Sequence, residues 1–149
     1  MGFLELLDKK LIKVPLKSGS KNMLLEELID LLNSEGCLVD RELALQDVLK
    51  REVLGSTGLE RGIAIPHAKT TSVDRMVMCI GIAPGGIDFE ALDGNPSSLF
   101  FMILAPPDQA GPHIEVLSDI ARVTKSNAMC RLLTNAADAD EVMELFEED

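Results

Sequence analysis

Aromatic side chains are scarce in this sequence. Its 149 residues include five phenylalanines but no tryptophan and no tyrosine. Surfaces that bind single-stranded nucleic acid stack bases on aromatic side chains, so this sequence lacks the material for such a surface. The charge points the same way, because a formal net charge of −11 repels a phosphate backbone. We therefore expect no nucleic-acid partner.

Cysteine and long apolar runs are also in short supply. The three cysteines lie far apart and form no CxxC pair, which argues against a disulfide framework or a zinc site and favours reduced thiols. No apolar run approaches the roughly 20 residues that a membrane-spanning helix needs. We expect a cytoplasmic protein that does not insert into a membrane, with residues 1–149 forming one domain.

Hydrophobic periodicity divides the chain into alternating helices and strands. Helices are predicted where apolar residues recur every three to four positions, and strands where short apolar runs end at turn residues. The predicted helices span residues 21–34, 40–55, 114–124, 127–134 and 138–147, and the predicted strands span residues 11–16, 62–66, 76–83 and 99–104. This alternation is typical of layered α/β or α+β packing.

Only two histidines occur, and each stands beside a proline at the edge of an apolar element. His67 follows Gly-Ile-Ala-Ile-Pro, so a buried strand is predicted to deliver its imidazole to a surface turn. His113 follows Gly-Pro and precedes a Leu-rich helix. From these residues alone two interpretations stay open for His67, a nucleophilic imidazole or a loop histidine without a chemical task.

The segment GSTGLERGIAIPHAKT resembles the active-site segment of enzyme IIA proteins of the fructose–mannitol type. These proteins belong to the bacterial phosphoenolpyruvate-dependent phosphotransferase system and include a nitrogen-regulatory branch. The motifs that follow the family's order are Arg51-Glu52, Gly55-Ser56-Thr57-Gly58, Ile63-Ala64-Ile65-Pro66-His67 and Gly111-Pro112-His113. The likeness covers roughly residues 38–122. It implies an α/β fold with a mixed sheet of four to five strands and helices on both faces.

The resemblance also implies a chemistry for these residues. His67 would accept a phosphoryl group on Nε2, with Nδ1–H facing a backbone carbonyl. Arg51 would bind phosphate oxygens; the alternative is a solvated helix residue. His113 would stand beside His67; the alternative is an ordinary residue at the N-terminus of a helix. The hydroxyls of Ser56 and Thr57 are candidate hydrogen-bond donors to the phosphate; the alternative is that both are ordinary turn residues. No metal and no cofactor is expected, because such a transfer depends on positioning and charge stabilisation.

The implied donor is a histidine-containing phosphocarrier protein that docks on an apolar ring around His67. Candidates for that ring, each of which also suits a core position, are Leu54, Leu59, Ile63 and Ile65. The acceptor is either the cytoplasmic domain of a sugar permease or a protein whose binding depends on the phosphorylation state of His67. A third alternative is a degenerate domain that only binds.

Two features bear on the choice between branches of the family. Residues 55–58 resemble the nitrogen branch, which favours the regulatory alternative. Arg61 stands where mannitol-type members carry an acidic residue, and Glu60 stands where Gly or Ala is usual. The charge reversal at Arg61 argues against a mannitol assignment, whereas Glu60 either alters the turn before the strand or only exchanges one exposed residue. Neither difference affects His67.

Overall fold

The helices and strands are taken from a computed structural model that describes residues 2–147, without the side chains of residues 110–113. The helices are α1 (Phe3–Leu6), α2 (Lys21–Ser34), α3 (Arg41–Leu54), α4 (Ala110–Val123), α5 (Asn127–Thr134) and α6 (Ala139–Glu147), with a 3-10 turn at Lys9–Leu11. The strands are β1 (Ile12–Lys13), β2 (Ile63–Ala64), β3 (His67–Lys69), β4 (Val77–Ile87) and β5 (Ser97–Ala105).

The five strands form one mixed sheet, as expected from the resemblance. Strand β5 pairs antiparallel with β4, and β1 pairs parallel with the far side of β4. The other side of β5 pairs in parallel with β2 and then with β3, so these two short strands follow each other along one edge. The register sets Ile63 opposite Leu99 and His67 opposite Ile103. The predicted fold class is confirmed.

Helices cover both faces of the sheet, and β5 shows why. Its side chains alternate between two buried clusters: Phe100 and Met102 pack with α2 and α3, whereas Phe101 and Ile103 pack with α4, α5 and α6. A strand buried on both faces reads as a continuous apolar run rather than an alternating one. The run Leu-Phe-Phe-Met-Ile-Leu is of that kind.

The helices that precede the site begin at clear sequence signals. Ser20 caps α2 through a bond from the Met23 N–H to its Oγ (3.4 Å), and Asp40 caps α3 through a bond from the Leu43 N–H (3.2 Å). Short polar side chains in these positions satisfy backbone donors that lack a partner within the helix. The predicted bounds of α2 and α5 and the Asp40 cap of α3 are confirmed.

Other boundaries were predicted wrongly. The predicted strand 11–16 is reduced to Ile12–Lys13, because Leu11 ends the 3-10 turn and Pro15 has no N–H to pair. Helix α4 begins at Ala110, four residues before its predicted start, because a proline is tolerated in the first turn of a helix. Within residues 2–147 no helix has the length and apolar content needed to cross a bilayer.

Candidate functional site

The candidate site begins at the end of α3, where the last turn carries Arg51 and Glu52. Arg51 lies in this turn, and its Nη1 donates to the carbonyl of the C-cap residue Gly55 at 2.8 Å. A cation in the last turn also favours the helix, since the carbonyl ends of a helix carry partial negative charge. Arg51 is thereby held at the start of the loop formed by residues 55–58.

This loop is fixed by Ser56 and Thr57, the two hydroxyl residues predicted to donate hydrogen bonds to phosphate. The Ser56 hydroxyl donates to the Phe89 carbonyl at 2.7 Å and accepts a bond from the Gly58 N–H at 3.0 Å. The Thr57 hydroxyl donates to the Glu52 carboxylate. Each hydroxyl has one proton to donate, so both donate to groups of the protein in this structure. Phosphate binding by Ser56 and Thr57 stays a prediction, and it would require these bonds to exchange.

His67 is the first residue of the edge strand β3, which pairs with β5. Its Nδ1 lies 2.7 Å from the Ile65 carbonyl oxygen. A carbonyl oxygen only accepts, so Nδ1 carries the proton and the neutral ring keeps its lone pair on Nε2. The expectation that Nδ1–H faces a backbone carbonyl is confirmed.

Burial and neighbouring charges set the protonation of this half-buried ring. Burial lowers the pKa of His67 below its ordinary value near 6.5, and the charge of Arg51 lowers it further. The bond to Ile65 and the charge of Glu52 act in the opposite direction, without reversing the net change. The imidazole is therefore mostly neutral at neutral pH, the state in which a nitrogen lone pair can attack.

The surroundings of His67 differ from the predicted surface turn. His67 is the first residue of β3 and lies in register with Ile103, whose side chain belongs to the cluster beneath α4. The predicted second histidine, His113, lies in the first turn of α4. Its side chain is outside the described residues, so its position beside His67 stays a prediction.

The expected apolar ring is only partly present. Ile63 and Ile65 are core residues with 3% and 6% exposure, because β2 and the residue after it pack beneath α4. Leu54 is 84% exposed, and its neighbour Val53, which the sequence did not single out, is 86% exposed. Leu59 is exposed to a lesser degree. An exposed apolar surface does therefore lie at the end of α3, next to Arg51.

Arg61 makes its hydrogen bonds with residues outside the candidate site. Its Nη1 donates to the Lys125 carbonyl at 3.1 Å and to Asn127 Oδ1 at 2.9 Å, and its N–H donates to Asp93 at 3.1 Å. These bonds join the turn before β2 to the α4–α5 connection. The residue that departs from mannitol-type sequences thus has structural partners of its own.

Comparison with known proteins shows the family to which this chain belongs. The profile of the family described as "Phosphoenolpyruvate-dependent sugar phosphotransferase system, EIIA 2" matches residues 5–149. The chain belongs to this family. It is accordingly a phosphotransferase component, an EIIA domain with a phosphocarrier role.

Curated relatives come from two functional groups. The fructose-specific EIIABC component of Bacillus subtilis is 36% identical over 146 residues, which is 98% of this chain but only 23% of that protein. The nitrogen regulatory protein of Bradyrhizobium diazoefficiens is 32% identical over 143 residues, covering 95% of this chain and 92% of the relative. The chain thus resembles one part of a longer fructose-specific component and nearly all of a nitrogen regulatory protein.

Solved structures show the same fold. The nitrogen regulatory protein IIA-Ntr of Neisseria meningitidis has a TM-score of 0.87 at 33% identity, covering 95% of this chain and 96% of that one. The IIA mannitol domain of Escherichia coli has a TM-score of 0.81 at 24% identity, covering 93% and 97%.

Sequence reasoning missed one charged pair beside the site. Lys21, at the start of α2, places its Nζ 2.8 Å from the Glu52 carboxylate, and both side chains are largely buried. Glu52 was noted only as part of an Arg-Glu motif. A signal was present in the sequence, because Glu52 follows Val48 by four positions and so lies on the apolar side of the predicted helix, where an ordinary surface glutamate is not expected.

Proposed function

We propose that this domain accepts a phosphoryl group on Nε2 of His67 from a histidine-containing phosphocarrier protein in the cytoplasm and then passes it on. The observation that carries the proposal is the bond between Nδ1–H of His67 and the Ile65 carbonyl. It fixes the tautomer whose lone pair is on Nε2 and limits rotation of the ring. A nucleophile already in its attacking geometry saves much of the entropy of a bimolecular transfer.

The transfer requires one bond to form and one to break. The Nε2 lone pair attacks the phosphorus of the donor's phosphohistidine, and the electron pair of the donor's N–P bond returns to the donor ring. Nδ1 of His67 keeps its proton, so positive charge develops on the ring as the new N–P bond forms. The Ile65 carbonyl accepts from Nδ1–H and therefore stabilises that charge.

Arg51 supplies the complementary charge for the phosphoryl oxygens. Its effect on the pKa of His67 puts the guanidinium within electrostatic reach of the ring. One N–H of the guanidinium is used by Gly55, and the group has five in a planar fork that suits phosphate. Residues 53 and 54, next to Arg51, offer apolar surface for transient docking of the carrier.

The downstream partner divides the proposal into two branches. The fructose-specific relative supports transfer to the cytoplasmic domain of a sugar permease. The nitrogen regulatory relatives support control of a partner's binding by the phosphorylation state of His67, since this chain spans nearly the whole length of the Bradyrhizobium protein. We place transfer to a permease domain first and regulation second.

The proposal is tested by intact-protein mass spectrometry after incubation with phosphoenolpyruvate, the general phosphotransferase enzyme and the histidine carrier. Samples stay neutral or alkaline, because phosphohistidine is labile in acid. Wild type should gain one phosphoryl group and His67→Gln none, while Lys125→Gln serves as a charge-changing control away from the ring. A wild type that gains nothing from cognate donors would overturn the proposal.

A further inference from the structure

The Glu52 carboxylate is the most enclosed charged group beside the candidate site, with 5% of its side chain exposed. Lys21 Nζ lies 2.8 Å from Oε2. The Thr57 N–H approaches both carboxylate oxygens, at 3.2 and 3.3 Å, and the Thr57 hydroxyl donates to Oε1. Removing a charge from water is costly unless partners such as these compensate it. The pair therefore fixes the N-terminus of α2, the end of α3 and the loop at Thr57 relative to one another.

A continuous series of hydrogen bonds leads from this carboxylate to the imidazole. The Thr57 N–H donates to Glu52, and the Thr57 carbonyl accepts from the Ile65 N–H at 3.1 Å. The Ile65 carbonyl in turn accepts from Nδ1–H of His67 at 2.7 Å. In Thr57 and in Ile65 the N–H and the carbonyl that take part belong to adjacent peptide groups on the two sides of the Cα. The series therefore fixes the positions of these backbone groups relative to one another, from the carboxylate to the ring.

We propose that Glu52, held by Lys21, is a positioning residue that sets the orientation and tautomer of His67 through the peptide groups of Thr57 and Ile65. The inference rests on the proposed function, because it takes His67 as the phosphoryl acceptor. Glu52 holds the Thr57 N–H, so the Thr57 carbonyl and then the Ile65 carbonyl are fixed in place. The Ile65 oxygen is thereby held where it accepts from Nδ1–H.

This assignment gives the two neighbouring charges on α3 different tasks. The negative charge of Glu52 favours a positively charged ring, which develops when Nε2 binds phosphorus. The positive charge of Arg51 disfavours that ring but favours the phosphoryl oxygens. Their opposite effects on the pKa of His67 agree with this division. Lys21 is needed because a carboxylate at 5% exposure is costly to hold away from water without a charged partner.

The chain contains a matched control for this carboxylate. Glu27 also binds a lysine, with Lys13 Nζ at 2.8 Å, and also accepts from a backbone N–H and a hydroxyl of one residue, Ser18. Its lysine partner lies on β1, at the opposite edge of the sheet from His67 on β3. Replacing Glu27 by glutamine therefore removes the same kind of buried charge without touching the series of bonds that ends at His67.

The experiment compares Glu52→Gln, Glu27→Gln and wild type by two measurements. Nitrogen-15 NMR of the unphosphorylated protein reports which ring nitrogen of His67 carries the proton. Single-turnover kinetics with phosphorylated carrier report the maximal transfer rate and the half-saturating carrier concentration. Glu90→Gln is a further control, since Glu90 pairs with the same Lys21 but is exposed.

We expect Glu52→Gln to populate the second tautomer of His67 and to lower the maximal transfer rate about tenfold or more, because small displacements of a reacting group are costly. The half-saturating carrier concentration should stay unchanged, and both control variants should match wild type. A Glu52→Gln protein that matches Glu27→Gln in tautomer and maximal rate would overturn the inference. The NMR measurement needs no carrier, so it decides the inference even if wild type proves not to be phosphorylated.

A second variant keeps the test decisive if Glu52→Gln does not fold. Lys21→Met removes the charge and the donor that hold Glu52 and keeps a side chain of similar length. A Lys21→Met protein with the wild-type tautomer and maximal transfer rate would count against the inference.

Discussion

The Glu27 carboxylate is predicted to be a major single contributor to stability at neutral pH. Partial burial raises its pKa, but bonds from Lys13, from the Ser18 hydroxyl and from the backbone N–H groups of Lys17 and Ser18 outweigh that effect and lower it from 4.5 to about 2. This depression corresponds to about 3 kcal/mol at neutral pH, and access of solvent reduces the figure to about 2–3 kcal/mol. Glu27→Gln should lose that amount, which is about 4–12 °C in Tm for a domain of this size.

The sign of the pH dependence follows from the direction of the pKa. The folded protein holds Glu27 ionised at pH values where the unfolded chain binds a proton, so the contribution is complete above about pH 5 and fades toward pH 2. The difference between wild type and Glu27→Gln should therefore narrow between about pH 5 and pH 3.

The assay is urea unfolding followed by circular dichroism, since the chain has no tryptophan. The control is Glu26→Gln, which removes the neighbouring, more exposed pair with Arg41 and should change stability by about 1 kcal/mol or less. Equal losses in the two variants at pH 7, or a difference that does not narrow in acid, would refute the reasoning.

Three further predictions concern the site. Because burial lowers the pKa of His67, the unfolded chain takes up that proton first, so wild type should lose stability relative to His67→Gln as pH falls below about 6.5 in urea titrations. Leu54→Ser and Val53→Ser should raise the half-saturating carrier concentration several-fold without lowering Tm, because both side chains are exposed; a lower maximal rate with unchanged half-saturation would contradict docking there. Gly58→Ala should cost about 1–3 kcal/mol in urea unfolding and slow phosphorylation, because the added Cβ would lie 2.9 Å from the Ala91 Cα; wild-type stability and rate would contradict this.

Local sequence signals were sufficient for the parts of the fold that depend on local bonds. The Lys21–Ser34 helix has a capping serine and an apolar stripe, and both its bounds were predicted correctly. Strand β5 was recognised because its apolar run is too short for a helix. In each case the determining interactions join residues close together in the chain, so the pattern itself contains them.

The predictions failed where pairing with a distant segment decides the structure. His67 was predicted to lie at a surface turn, yet it begins a strand because the edge of β5 is available for pairing, with His67 opposite Ile103. For Ile63 and Ile65 the sequence left a docking ring and the core as alternatives, because their burial depends on residues of α4 that lie far along the chain. A three-residue strand has no periodicity of its own to detect.

The orientation of His67 depends both on a local bond and on interactions with distant segments of the chain. Its bond to the Ile65 carbonyl is local, and the resemblance to a family implied it correctly. The Ile65 peptide is itself held by Thr57, whose N–H is held by Glu52, and Glu52 is paired with Lys21 from another helix. No pattern around residue 67 contains that lysine. If the series of bonds controls the tautomer, then a motif match at residues 51–67 is not enough to establish an active phosphocarrier, and the residue at the start of α2 must be considered with it.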